Sequence, residues 1–163
     1  PDPRALSDPE SVMMSTTKDN LPWMVKPAES HDDVSCLSYA LRYAKKLNWY
    51  VFPVHSITDE GVCSCAAGAA CSNPGKHPRT KRGLHDATID LETIRAWWTQ
   101  WPDANIAIDC ARSGFDALDA DVKNGGLDSL DEIQDRHGKL PDTAQAFTGG
   151  GGSHHLFQHH RFL

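Results

Sequence analysis

The sequence predicts an α+β fold in which helices flank a mixed sheet. Three observations lead there. Segments with apolar residues at helical spacing alternate with short aromatic and β-branched runs. Each helical segment has its own start and stop signals. The 163 residues are enough for one domain with a core of its own.

Residues 1–30 are rich in Pro, Ser, Asp and Lys and show no sustained period, so a flexible N-terminal extension is expected. Met14-Ser15-Thr16-Thr17 reads as a natural start, which would make residues 1–13 a cloning remnant; the alternative is an ordinary tail. Residues 31–163 are expected to form the folded domain. Ser30-His31-Asp32-Asp33 is a capping box. It opens a helix with Val34, Leu37, Leu41, Ala44 and Leu47 inward, ending near Asn48. Trp49 to Val54 follows as a strand, and Pro53, which has no N–H to donate, puts its end at an edge. Gly61 to Gly83 reads as a loop, inserted over 61–80.

Asp90 caps a second helix carrying Leu91, Ile94, Trp97, Trp98 and Trp101, which Pro102 stops. Asn105 to Ile108 is a short strand, Arg112-Ser113-Gly114 a turn, and Phe115 to Asp121 a further strand. Asn124-Gly125-Gly126 turns into a third helix over 127–137, with Leu130 and Ile133 inward and Gly138 as its stop. Thr143 to Phe147 is a fourth strand, and Ser153 to His159 a fifth after a run of glycines. The last strand has no partner to follow it, which suggests a fragment of a longer protein.

The net charge of −6 argues against nucleic-acid binding by bulk charge, but its distribution is uneven. Gly61 to His85 holds no Asp or Glu, while Lys76, Arg79, Lys81 and Arg82 give it four positive charges. These four side chains are candidate contacts for the phosphates of a template strand; the plain alternative is a solvated basic loop. No run is long and apolar enough to span a bilayer and no signal segment opens the chain, so a cytoplasmic protein without membrane contact is expected.

Four motifs carry chemistry. Cys63, Cys65, Cys71 and His77 supply three thiolates and an imidazole, the closed tetrahedral set of a structural Zn²⁺ site, with His85 as the alternative fourth ligand. The alternatives are free thiols or a disulfide. Asp119 and Asp121 lie two residues apart on a strand and so share a face. Two carboxylates that close repel unless a cation sits between them, and divalent metal is the usual answer. The alternative is two solvated aspartates at a strand end. Gly75-Lys76-His77 is not a P-loop, because Ala70 stands where the first glycine is needed. Thr148-Gly149-Gly150-Gly151-Gly152-Ser153 lets backbone N–H groups approach a triphosphate, with a histidine just beyond. An engineered linker and tag has a similar composition, but Leu156, Phe157 and Gln158 interrupt the histidines.

Taken together, residues 37–157 resemble the prim-pol family, the N-terminal domains of bifunctional DNA primase/polymerases in the archaeo-eukaryotic primase superfamily. The resemblance runs through Ala44 to Val54, the cysteine loop ending Pro74-Gly75-Lys76-His77-Pro78, Gly83 to Thr88, Ile94 to Trp98, Trp101 to Ile106, Ser113-Gly114, Asp119-x-Asp121 and the glycine run Thr148 to Gly152. It implies a primase-like catalytic core performing metal-dependent nucleotidyl transfer in phage or plasmid replication, often with a helicase domain downstream. Asp119 and Asp121 would hold Mg²⁺ or Mn²⁺. The histidine of the second motif contacts the incoming nucleotide's phosphates; the family's Gly-Gly-x-His reading selects His154, and a Ser-x-His reading selects His155. Thr148 to Ser153 and His155 would line the nucleotide site. A third metal-binding aspartate would lie beyond Leu163, so the core is expected to be incomplete and this fragment weakly active or inactive.

The expected reaction makes and extends primers on single-stranded DNA from ribo- or deoxynucleoside triphosphates. Two other classes stay open at this stage: a non-catalytic zinc module that grips nucleic acid, and a metal-dependent nuclease using the same carboxylates.

Overall fold

The structure is a computed structural model that describes residues 35–159. The extension expected over residues 1–30 and the capping box at Ser30 lie outside the described residues. Helix α1 spans Cys36–Leu47, and its cap is Ser35. Ser35 is extended, its hydroxyl accepts from the Ser38 N–H, and the Ser38 hydroxyl accepts in return from the Ser35 N–H. Two donors of the first turn are satisfied by this exchange. Asn48, left-handed at φ 56°, ends the helix where expected.

Strands β1 (Tyr50–Val54) and β2 (Asn105–Asp109) pair antiparallel, with Tyr50 opposite Asp109 and Val54 opposite Asn105. Helix α2 (Leu91–Gln100) returns the chain between them. Its cap is Asp90, whose carboxylate accepts the Thr93 N–H at 2.8 Å, and it stops before Pro102. Ala40, Ala44, Val51, Ile94, Trp98 and Ala104 form the main core, with Leu37 and Leu41 packed against it. The Trp98 indole N–H donates to the Ala104 carbonyl at 3.0 Å, so the ring is buried without an unpaired donor.

A one-turn helix, α3 (Cys110–Ser113), stands where the sequence suggested a simple turn. The buried Asp109 side chain caps it by accepting from the Arg112 N–H. Strand β3 (Phe115–Ala120), helix α4 (Gly126–His137), strand β4 (Ala144–Phe147) and strand β5 (Ser153–Gln158) complete the fold. The two halves meet where Trp49 packs on Phe115, ring centroids 4.8 Å apart, and where the Tyr50 N–H donates to the Ser113 hydroxyl.

Two expectations need correction. The strands do not form one mixed sheet; they form two antiparallel sheets, β1–β2 and β3–β5–β4. The free edge of β1 is occupied by irregular chain: Thr88 exchanges hydrogen bonds with Val51, and the Arg79 N–H donates to the Pro53 carbonyl. Only a neighbour that needs no donor from Pro53 can use that edge. The class remains mixed α+β. Ile133, expected inward, is 53 % exposed, whereas Leu130 is buried. The two lie about 60° apart around a helix, and α4 meets the rest along a strip too narrow to cover both.

Candidate functional site

The open face of the second sheet gathers the site. Strand register sets Asp119 of β3 opposite His154 of β5, and His154 opposite Ala146 of β4. Directly opposed residues project from the same face. The His154 Nε2 lies 3.5 Å from the Asp119 Oδ1, with the side chains 43 % and 62 % exposed. Ala120 is buried on the other face. Asp121 is still extended (φ −87°, ψ 126°), so it returns to the side of Asp119.

Asp121 is nevertheless already off the strand ladder. Its carboxylate caps the short turn over 122–124, accepting from the Lys123 N–H at 3.0 Å and the Asn124 amide at 3.3 Å. The strand pair of acids is therefore a strand end plus a cap. Among the described residues neither acid forms an ion pair with Lys or Arg. Ala117, Ala144, Ala146 and the larger Leu156 share their face by register, with Ala146 opposite His154 and Leu156 between Ala117 and Ala144. Exposed carboxylate oxygens without a Lys or Arg partner among the described residues suit a divalent cation. His155 points to the opposite face, its Nε2 3.0 Å from the Ser153 hydroxyl. The two adjacent histidines are thus sorted as the strand period requires, and Ser153 goes with His155.

The glycine run is the turn that joins β4 to β5. The Thr148 N–H donates to the Gly152 carbonyl, the Gly151 N–H to the Thr148 carbonyl, and the Gly152 N–H to the Thr148 hydroxyl. Gly149 and Gly150 form the open tip, and their N–H groups have no internal partner among the described residues. β5 is the central strand of its sheet, which removes the linker-and-tag reading of this segment.

Two glycines also press on the backbone beside the acids. A Cβ at Gly152 would lie 2.5 Å from the Ala120 carbonyl oxygen, and one at Gly126 would lie 2.6 Å from the Asp121 nitrogen. Only glycine allows either approach. Gly152→Ala or Gly126→Ala is expected to destabilise the fold by about 1–3 kcal/mol, readable as a lower midpoint in urea denaturation. Gly126 escaped the sequence reading, where it looked like turn chemistry alone.

The second cluster lies in the loop between β1 and α2. Cys63, Cys65, Cys71 and His77 bring their ligand atoms within 4.8 Å of one another. Among the described residues this is the one such group of His, Cys, Asp or Glu, so Asp119, Asp121 and His154 are not gathered to ligand distance. His77, not His85, is the imidazole that joins this group; His85 is exposed on a short turn over 83–86. Cys63 Sγ lies 3.5 Å from His77 Nε2 and accepts the Gly75 N–H. Burial opposes ionisation of Cys63, but the Gly75 and Cys65 N–H groups and His77 overcome it and hold the thiol at about 6. Burial raises the Cys71 thiol. His77 stacks on His55, ring centroids 4.3 Å apart. Burial, helped by Arg79 and His77, pushes His55 down. Tetrahedral zinc–sulfur bonds of about 2.3 Å set the sulfurs about 3.8 Å apart, which this spacing allows. With four protein donors no position remains for substrate.

The four cations of the basic segment divide. Arg79 donates to the Ser64 hydroxyl at 2.7 Å and lies 5.8 Å from the Trp101 ring centroid, tying the cysteine loop to α2. Arg82 pairs with Asp86 at 2.7 Å, and its backbone N–H and guanidinium hold that carboxyl below the usual range. Lys76 and Lys81 are exposed. Trp97 and Trp101, read from sequence as packing residues, are only partly buried and border these cations. No helix among the described residues is long and apolar enough to cross a membrane.

Comparison with known proteins gives one match. The family model for "bifunctional DNA primase/polymerase, N-terminal" covers residues 40–161. No curated protein and no solved structure matches significantly.

Proposed function

The chain belongs to the N-terminal family of bifunctional DNA primase/polymerases, and from that we propose that it joins nucleotides on a single-stranded DNA template. Nucleoside triphosphates are the substrates, and primers are made or extended during replication. The observation that carries this reading is the register of the second sheet. It sets Asp119 against His154 on an open face, with Asp121 on the same side and Gly152 of the glycine turn against the Ala120 and Asp121 backbone.

Asp119 and Asp121 would hold Mg²⁺ or Mn²⁺, which when bound offsets charge on the phosphoryl oxygens and on the attacking and leaving oxygens. His154 would donate a hydrogen bond to a phosphate oxygen of the incoming nucleotide. The amides of Gly149 and Gly150 would take others. Ala117 and Ala146, beside the acid and the histidine, would leave room for part of the nucleotide. Cys63, Cys65, Cys71 and His77 would hold a structural Zn²⁺ that shapes the loop carrying the basic segment. Lys76 and Lys81 are the cations best presented to template phosphates.

The test is incubation with labelled single-stranded DNA, Mn²⁺ and nucleotides. The reading expects longer products. Shorter products would instead mean a nuclease, and an unchanged but bound strand a plain nucleic-acid module. His154→Ala is expected to slow nucleotide addition about a hundredfold, the range for losing one donor to a developing anion. His155→Ala, altering the opposite face, should leave the rate close to wild type. Equal losses in steady-state assays of the two variants would refute the assignment of His154.

A further inference from the structure

A second recognition surface shares no residue with the carboxylate site. Arg79, Lys81 and Arg82 line one wall of an open cavity of about 540 Å³, and Trp97 and Gln100 of α2, with Trp101 that ends it, line the other. Asp86 is the only acid in the lining, so the cavity carries a net charge of +2 (three cations less one anion) in a chain whose total is −6. Such a reversal of sign selects anions.

The aromatic wall makes the selection more specific. Trp97 stands in the last turn of α2 and Trp101 is the non-helical residue that ends it, its N–H donating to the Trp97 carbonyl, and both indoles border the cavity. The core uses Trp98, 2 % exposed, and leaves the other two indoles only partly covered. Arg79 is held in place before any ligand arrives, by Ser64 and by the Trp101 ring. Its Nε has no hydrogen-bond partner among the described residues. Gln100 adds an amide that can both donate and accept. Stacking surfaces and cations side by side are what a base and its phosphate require.

We propose that this cavity binds a nucleotide unit, the base against the tryptophan wall and the phosphate at Lys81 and Arg82. The unit can belong to a single strand or be a free nucleotide, because the chemistry is the same. The strand source rests on the function proposed above; the cavity itself does not require that Asp119 and Asp121 support catalysis.

The test uses the chain carrying Asp119→Asn and Asp121→Asn, without divalent cation, so that the carboxylate site does not report. Labelled oligothymidylate and, separately, thymidine monophosphate are titrated while anisotropy and indole fluorescence are followed. Binding is expected to quench the indoles. Trp101→Leu and Lys81→Glu should each weaken it about tenfold. Trp101→Phe, which keeps a stacking ring, should restore most of it. Lys139→Glu, the same charge change on an exposed residue outside the cavity, should have little effect.

Tighter binding of the oligomer assigns the cavity to a strand. Equal binding of the monophosphate, with the same dependence on Trp101, assigns it to a free nucleotide. Affinities indifferent to Trp101 and Lys81, or a Lys139→Glu loss as large as that of Lys81→Glu, would overturn the proposal. Circular dichroism checks each fold, and Lys81→Glu decides the matter if Trp101→Leu does not fold.

Discussion

Replacing Asp119 and Asp121 together by Asn is expected to leave the fold intact and to reduce nucleotide addition at least about a thousandfold. The magnitude follows from the several kcal/mol that a bound cation contributes to transition-state charge, at about 1.4 kcal/mol per tenfold. Intactness follows from position. Both side chains are exposed, and among the described residues the Asp119 carboxylate has no partner besides His154. Asn at 121 can still accept from the Lys123 N–H and so keep the turn over 122–124 capped. Thermal melting should therefore match wild type while Mn²⁺ binding, followed by calorimetry, disappears. Retained Mn²⁺ affinity in the double variant would place the cation elsewhere and remove the basis for assigning these acids.

Removal of zinc is expected to have the largest effect on stability. The loop over 61–80 has little apolar content, and among its cysteines Cys63 alone is buried, at 2 % exposure. Four converging ligands would supply its organisation. A chelator, or Cys63→Ser, should release one equivalent of zinc and lower the melting temperature by about 10 °C or more, several kcal/mol at about 2–4 °C each. Arg79 spans from this loop to α2, so the loss should reach beyond the loop itself. The effect also has a sign in pH. The Cys63 thiol is lowered from 9.0 to about 6, so its contribution is full above about pH 9 and is lost as pH falls through about 6. A chain that melts at the same temperature with and without chelator would argue for a loop that needs no metal.

Much of this could be read directly from residues. The cap at Asp90 and the stops at Asn48, Pro102 and Gly138 are local matters, decided by side chains within a few positions of one another, and the cysteine loop gathers its three thiols and His77 from within one loop. That His154 and His155 face opposite sides also followed from the period of a strand, while the preference for His154 came from the resemblance. What escaped depended on distant partners. The division into two sheets and the exposure of Ile133 each depend on what lies alongside. Gly126 looked like a turn residue because nothing nearby in sequence shows that it touches the Asp121 backbone.

The sequence by itself determined the residue chemistry: which acids, thiols, imidazoles and cations the chain owns, and the periodicity that places neighbours on one face or two. Only the tertiary structure decided which of them meet. Asp119 and His154 are 35 positions apart by number and 3.5 Å apart in space because the Thr148–Gly152 turn folds β5 between β4 and β3. Arg79 became a strut and Lys81 a cavity wall for the same reason. Hydrogen-bond register and packing are properties of pairs of segments, and no single segment encodes its partner.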